Sequence, residues 1–404
     1  MIKGKDIIVF SIQPYDIEIG SNCKNIALDF AKDNRVLYVN PPLDRITKIK
    51  KRHRPEIQKR IKISNGEASD LVQITNNLWN LYPKDTIESI NWIHSHHVFK
   101  ILNKRNCSIL SGNIKSAIDR LGFSDYILFN DSSMFLGQYL KEFLQPKLYT
   151  YYVRDFLVKV PYWKKHGAKL EPELIEKVDV VLNNSQVYAD YAANYNENSV
   201  MVGQGCDVEM FTDSGNHIKA PKEYSNIPGP VVGYVGSLTS LRLDIKLLEF
   251  IAHRKPEWSI VLVGPEDEDF KNSALHQLPN VYFLGRKDSQ DLPAYIKGFD
   301  VAMNPQVVND ITVGNYPRKI DEYLAMGKPI VATYTKAMEM FKEHVYLGDT
   351  KQDYLKLIAQ GLADNSANKK EQRIAFAKSH SWRNNVKCIY EAIIASTKRQ
   401  ISWN

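Results

Sequence analysis

Gly314-Asn315-Tyr316-Pro317-Arg318-Lys319-Ile320-Asp321-Glu322-Tyr323-Leu324-Ala325-Met326-Gly327-Lys328-Pro329-Ile330-Val331-Ala332-Thr333 reads as a loop, a short helix and a strand in immediate succession. Pro317 suits the first helical position, where a missing N–H costs nothing. Arg318 to Met326 then reads as helix, with Ile320, Tyr323 and Leu324 on its apolar side. Gly327 caps its end and Pro329 forbids continuation. Ile330 to Thr333 has the pattern of a buried strand. A helix that hands over directly to a buried strand belongs to an α/β sheet.

The start of that helix suits an anion such as a diphosphate. Backbone N–H groups and the positive dipole end face outward at 315–318. Arg318 and Lys319 add two cations at an end where structure alone prefers acids. Glu322 lies one turn further on, on the face shared with both cations. It can accept hydrogen bonds from a ribose diol, or it can simply pair with Arg318; spacing leaves both readings open.

A chain of 404 residues is too long for one ordinary core, so two domains are expected. With 44% hydrophobic and 25% charged residues it has the composition of a globular protein. Its 53 basic against 46 acidic side chains mildly favour anionic partners. The four cysteines show neither metal spacing nor a disulfide framework. No signal peptide precedes strand-like Ile7-Ile8-Val9-Phe10, and no apolar run reaches the roughly 18 residues of a spanning helix. The expectation is a cytoplasmic protein that can touch the inner face of a membrane peripherally.

From the N-terminus, 6–10 and 35–40 read as strands around a helix that runs from 22 to about 31, a β-α-β unit without G-x-G-x-x-G. The Gly20-Ser21-Asn22 turn sits where such sheets bind ligands, and it reads equally as a plain N-cap. Residues 45–62 carry nine cations and one acid, Glu56, with isoleucines at roughly helical spacing interrupted by Pro55. This run is read as a contact for an anionic membrane surface, the alternative being a solvated loop. With no aromatic platform or nucleic-acid motif beside it, a nucleic-acid partner is not expected. His94, His96 and His97 lack metal-ligand spacing, and no metal is expected. Strands at 126–130 and 147–153 end at Asp131 and at Arg154-Asp155. Asp155 is placed either to act as a general base or merely to cap a loop. Tyr162, Trp163, Lys164, Lys165 and His166 form an aromatic-basic stretch suited to an acceptor site, read as a loop.

Residues 212–229, rich in Ser, Gly, Asn, Lys and Pro, read as a linker. A second β/α series follows, with strands starting at 231, 259, 281, 301 and 330. Gly236, Gly264 and Gly285 fall at strand ends, where glycine lets a ligand approach the backbone. The boundaries expected are 1–211, 212–229, 230–371, and a helical tail 372–404 that packs back on the N-terminal domain.

Gly233-Tyr234-Val235-Gly236-Ser237, Val263-Gly264-Pro265, Pro317 to Pro329, Gly203-Gln204-Gly205-Cys206-Asp207 and His380-Ser381-Trp382 together resemble GT-B glycosyltransferases of family 4, the group 1 type. Arg35–Pro42 and Tyr151–Phe156 look most like bacterial polysaccharide-building members, of the teichuronic-acid and xanthan glucuronosyltransferase types. The resemblance implies two Rossmann-like β/α/β domains facing a cleft, with a C-terminal helix crossing back. It implies a nucleotide-sugar donor, UDP- or GDP-linked, a glycan or lipid-linked acceptor, and no cofactor. Lys319 would hold the donor diphosphate, Glu322 the ribose, and Arg242 would be a second phosphate cation. Gly236, Ser237, Gly264, Arg286, Asn315, Tyr316, Pro317 and Arg318 complete the expected donor site. Asp155 falls at the place of a catalytic base, with Gly20, Ser21, Asn22 and Arg154 on the acceptor side. Family 4 enzymes carry a Glu-x7-Glu pair, and here the first position is Gly314. The stereochemical course and the group that touches the donor sugar are therefore left open. A non-catalytic nucleotide-sugar-binding scaffold and a nucleotide-sugar epimerase on the same fold are the alternatives.

Overall fold

A computed structural model describes residues 1–16, 21–213 and 217–400, with side chains to 397. The chain divides into two compact units, 1–203 with 385–404, and 204–384. Both divisions differ from the sequence expectation. Part of the stretch read as a linker is bound into the second unit: Tyr224 donates its hydroxyl to the Tyr295 carbonyl at 2.9 Å, and Lys297 pairs with Asp213 at 2.7 Å. Residues 214–216 lie outside the described part.

The first unit holds an eight-stranded sheet within the described residues, in the order β3-β4-β2-β1-β5-β6-β7-β8. Its strands are β1 (Asp6–Ser11), β2 (Arg35–Val39), β3 (Leu71–Thr75), β4 (Leu78–Leu81), β5 (Ile127–Asp131), β6 (Leu148–Val153), β7 (Val180–Asn183) and β8 (Ser199–Met201). All pair in parallel except edge strand β3, antiparallel to β4. The central strands β1, β5 and β6 are buried along their whole length, as expected where helices cover both faces. Helix α1 (Asn22–Phe30) follows β1, capped by Ser21, whose hydroxyl oxygen accepts from the Lys24 N–H at 3.5 Å.

The basic run is two helices, α2 (Arg45–Lys50) and α3 (Pro55–Ser64). Pro55 does not break a helix; it starts one at the first position, where it is tolerated. Helix α4 (His96–Leu121) begins at the N-cap Ser95 and ends at Gly122. Tyr162 to His166 belong to a helix, Pro161–Lys177, and not to a loop. The final helix, Trp382–Gln400, belongs to the first unit from Asn385 on. Its Tyr390 hydroxyl accepts from Asn34 at 2.8 Å, and its ring stacks on Phe30 of α1 at 5.3 Å.

The second unit holds a parallel sheet in the order β11-β10-β9-β12-β13-β14. Its strands are β9 (Val231–Val235), β10 (Ser259–Val263), β11 (Val281–Phe283), β12 (Val301–Asn304), β13 (Ile330–Thr333) and β14 (Tyr346–Gly348). This is the doubly wound 3-2-1-4-5-6 order, and it places a crevice at the carboxyl ends where the winding reverses, between β9 and β12. In the first unit the reversal falls between β1 and β5.

Candidate active site

The helix decided by the opening stretch spans Lys319–Ala325, with Arg318 as N-cap, so it starts two residues after Pro317. It ends as the sequence predicts: Gly327 N–H donates to the Leu324 carbonyl at 2.8 Å and Lys328 N–H to Tyr323 at 3.0 Å. Seven residues carry little dipole, so the charge at its head is that of side chains. The Val235 N–H donates to the Tyr323 hydroxyl at 2.8 Å, which fastens the helix to the end of β9. That bond brings Lys319 over the β9 turn. Its Nζ donates to the Tyr234 hydroxyl at 2.7 Å and lies 4.5 Å from the centre of that ring.

Gly236 follows β9 at φ 143°, and a Cβ there would stand 3.0 Å from Lys319 Nζ. Gly264 follows β10 at φ 154°, and a Cβ there would stand 1.8 Å from the Gly236 carbonyl oxygen. The two turns touch, and only glycine fits between them. The Gly236 N–H donates to the Val263 carbonyl at 2.9 Å, which holds the pair of turns in register. Bare backbone under a lysine is an arrangement that accepts a phosphate closely.

The remaining donor-side residues fall into two groups. Ser237 sits in the Gly236 turn. Arg242 is exposed, and its loop is tied to the loop after β12: the Val307 N–H donates to the Arg242 carbonyl at 2.9 Å. Arg286 is exposed, just beyond β11. Arg318 Nε meets Glu322 Oε1 at 3.1 Å; with the glutamate side chain only 11% exposed this is not a surface pair, and the contact is compatible with either reading of Glu322.

Asn315, Tyr316 and Pro317 point inward. Asn315 Nδ2 meets Gln306 Oε1 at 3.4 Å, and the buried Tyr316 donates its hydroxyl to Asp321 at 2.7 Å. Asp321, fully buried, also meets His380 Nδ1 at 2.7 Å. Burial raises the Asp321 carboxyl above the usual range, and the bonds to His380 and Tyr316 pull it back. These residues support the helix from beneath. The same turn receives the Gly203–Asp207 motif: the Cys206 N–H donates to the His380 carbonyl at 2.8 Å, and Trp382 packs on Gly205.

The first unit places a different constellation at its carboxyl edge. Ser11 and Asp131 are register partners at the ends of β1 and β5, and the Ser11 hydroxyl donates to Asp131 at 2.8 Å. Asp131, with no exposed side-chain surface, accepts from Arg154 Nε at 2.8 Å. Burial works against the Arg154 charge, but the carboxylates of Asp131 and Asp155 outweigh it and hold that guanidinium above its ordinary pKa. Asp155 lies 3.8 Å from Arg154 Nη1 and is 36% exposed, so it can meet an incoming hydroxyl. Ser21 and Asn22 are buried, and Ser21 acts as N-cap while donating to Gln13 at 2.8 Å. Gly20 lies outside the described residues. His96 and His166 approach at 3.4 Å, and among the described residues no three His, Cys, Asp or Glu side chains form a metal-sized group.

Tyr234, Ser11 and Asp131 belong to these two clusters and were not among the site residues assigned from the sequence. Tyr234 stood within a quoted motif, and Asp131 at a strand end. Ser11 gave no signal.

The chain shares its fold with HepE of Anabaena in complex with UDP, at TM-score 0.67 and 14% identity, over 97% of this chain and 100% of that one. It likewise shares it with sucrose-phosphate synthase of Thermosynechococcus elongatus, at TM-score 0.68 and 15% identity, over 97% and 100%. The fold is the GT-B fold of glycosyltransferases. Residues 229–364 match the family model described as glycosyl transferases group 1, so the second unit carries a domain of that family. A Bacillus subtilis (strain 168) protein that bears the name of a teichuronic acid biosynthesis glycosyltransferase, TuaH, is 30% identical over 176 residues. That match spans 42% of this chain and 43% of TuaH, less than half of either.

Proposed function

We propose that this chain is a glycosyltransferase that moves a sugar from a nucleoside diphosphate sugar to a hydroxyl of a glycan or lipid-linked acceptor in bacterial surface polysaccharide synthesis. The observation that carries the reading is Lys319 Nζ poised over the Gly236 turn, which the Gly264 turn touches, at the carboxyl edge of the second unit. A leaving nucleoside diphosphate gains negative charge as the glycosidic bond breaks, and fixed cations lower that barrier. Lys319 supplies the first cation and the exposed Arg242 the second, so the step needs no metal. Glu322 receives the ribose, with Arg318 orienting its carboxylate. The family match in this unit and the UDP bound by HepE support this reading of the donor side.

Asp155 takes the acceptor's proton in an inverting transfer. It is the partly exposed carboxylate of the Ser11–Asp131–Arg154 cluster, and the paired arginine stabilises its charged form. We place the work in the cytoplasm, at the membrane's inner face, because the basic run 45–62 complements the anionic surface of that leaflet.

The test is a screen of UDP, GDP and their sugars by thermal stabilisation, followed by transfer assays with mass and anomeric analysis of the product. Stabilisation by one diphosphate and not by its nucleoside, with a new glycosidic bond in the product, is expected. No stabilisation by any nucleoside diphosphate would overturn the reading.

A further inference from the structure

The first unit contains a cavity of about 630 Å³, within the roughly 300–1,000 Å³ of small-molecule sites, and every residue that lines it belongs to that unit. Its wall is largely apolar: Phe10, Ile90, Phe99, Phe135 and Trp163 are among the residues facing it. Around its mouth stand apolar side chains that a globular protein ordinarily covers. Trp92 is 70% exposed, Tyr162 58%, and Ile46 43%; Ile49 of α2, one turn from Ile46, is 65% exposed.

This rim is built and held. The Trp92 indole donates to the Ser89 carbonyl at 2.9 Å, Lys165 Nζ donates to the carbonyls of Asn91 and Trp92 at 2.9 and 2.8 Å, and Asn91 Nδ2 donates to the Tyr162 carbonyl at 2.8 Å. An exposed indole fixed by its own hydrogen bond, beside an exposed phenol, suits the interface between water and hydrocarbon.

Beside the rim lies the basic run. Arg45 pairs with Glu88 and Lys59 with Asp16, but among the described residues no carboxylate pairs with Lys50, Lys51, Arg52 or Lys62. Lys51 itself lines the cavity. Cations next to exposed isoleucine and tryptophan complement a surface that is apolar and negatively charged together, which is what an anionic bilayer presents.

The cavity's inner end reaches the carboxyl edge. Ser11 and Ser133 line it, and Ser11 is the residue that donates to Asp131, which holds Arg154 next to Asp155. One side chain therefore belongs both to the apolar cavity and to the proposed catalytic cluster.

We propose that the acceptor is a lipid: an apolar chain on an anionic, phosphate-linked head, drawn from an anionic membrane, with the chain in the cavity behind Trp92 and Ile46 and the polar end leading to Ser11 and Asp155. This rests on the transferase reading and narrows it, from glycan or lipid-linked acceptor to lipid-linked. The cations of α2 and α3 hold the bilayer surface, and the rim admits the chain. A soluble glycan would use neither the exposed isoleucines nor the apolar wall.

The experiment uses the full chain, farnesyl monophosphate as the probe, and phosphatidylcholine vesicles with and without phosphatidylglycerol. Farnesyl monophosphate is expected to bind saturably where inorganic phosphate at the same concentration does not. Trp92→Ser and Ile46→Ser, both at exposed positions that leave the core intact, are each expected to weaken it about tenfold, the loss typical of one apolar contact. Flotation with phosphatidylglycerol vesicles should fail both for Trp92→Ser and for a Lys50→Glu, Lys51→Glu double variant. Three results overturn the proposal: no farnesyl monophosphate binding beyond that of phosphate, unchanged binding in both rim variants, or flotation that depends on the lysines alone. Titration of the same samples with UDP and with GDP separates the two claims. Lipid binding with neither UDP nor GDP binding in parallel titrations removes the transferase reading, whereas binding of either nucleotide without lipid binding removes only the lipid site.

Discussion

At the carboxyl edge of the second unit the chain ends β9 and β10 in Gly236 and Gly264, two touching turns of bare backbone with Lys319 above the first. At the same edge of the first unit it ends β1, β5 and β6 in Ser11, Asp131 and Arg154, a buried charge network. The winding is equivalent, 3-2-1-4-5-6 in the second unit and the same around β1 and β5 in the first. On the proposed function, the difference lies in what each edge would receive. A diphosphate brings its own charge and needs close backbone and a cation. A neutral hydroxyl brings none, so the protein must supply a base and hold it charged. Clearing space requires glycine, while holding a carboxylate ready requires a buried partner.

The contrast breaks most sharply at Asp155. Asp155→Asn is expected to lower turnover by about 10²–10⁴, the usual worth of a general base, while UDP affinity stays unchanged. Steady-state rates and a UDP titration on the same sample check this, and unchanged turnover would reduce Asp155 to a positional role. Next comes Asp131→Ala, which leaves the buried Arg154 guanidinium with only the longer, 3.8 Å contact to Asp155 among the carboxylates described. Its expected cost is about 3–5 kcal/mol of unfolding free energy, read from denaturant curves.

Glu171 sharpens the same theme under the sheet of the first unit. It is buried and accepts from the Tyr151 hydroxyl at 2.7 Å; burial pushes its carboxyl up to about 7, against the pull of that bond. Its folded pKa is above its unfolded value, so the native state binds the extra proton. Glu171 therefore favours the native state at low pH and loses that effect as pH rises from the unfolded carboxylate range through about 7. Glu171→Gln should remove that slope. The stability gap between variant and wild type should widen in the variant's favour by roughly 3 kcal/mol between pH 4 and pH 8. A gap that is constant with pH would contradict the assignment. Smaller again is Gly264→Ala, whose Cβ would collide with the Gly236 carbonyl. About 1–3 kcal/mol of strain is expected, together with weaker UDP binding, by melting curves and titration.

Much of this architecture was legible in the residues. Strands such as Val231–Val235 and Ile330–Thr333 are short apolar runs closed by glycine or proline, and they declared themselves. Edge strand β3 did not: four of its five residues are exposed, so it carries no burial pattern. Strand β14, three residues long, is too short for any periodicity to show. Lys319 and Gly236 could be nominated for a donor site because each sits in a local motif. What fixes Lys319 was not readable, because its partner Tyr234 is 85 residues away in sequence. Ser11 and Asp131 are 120 apart, and the cavity gathers segments from Phe10 to Trp163, which only the folded sheet brings together. Tyr316 misled for a related reason: it stands next to the cationic turn in sequence, and its side chain turns inward to Asp321.

The claim on which the rest depends is that Lys319 holds the departing diphosphate over the Gly236 and Gly264 turns. Calorimetric titration of UDP, or of GDP where that is the nucleotide bound, into wild type and Lys319→Ala tests it directly. Loss of one charge-assisted contact predicts affinity lower by roughly 10- to 100-fold, with the melting temperature of the unliganded variant close to wild type. Equal affinity in the two proteins would contradict it.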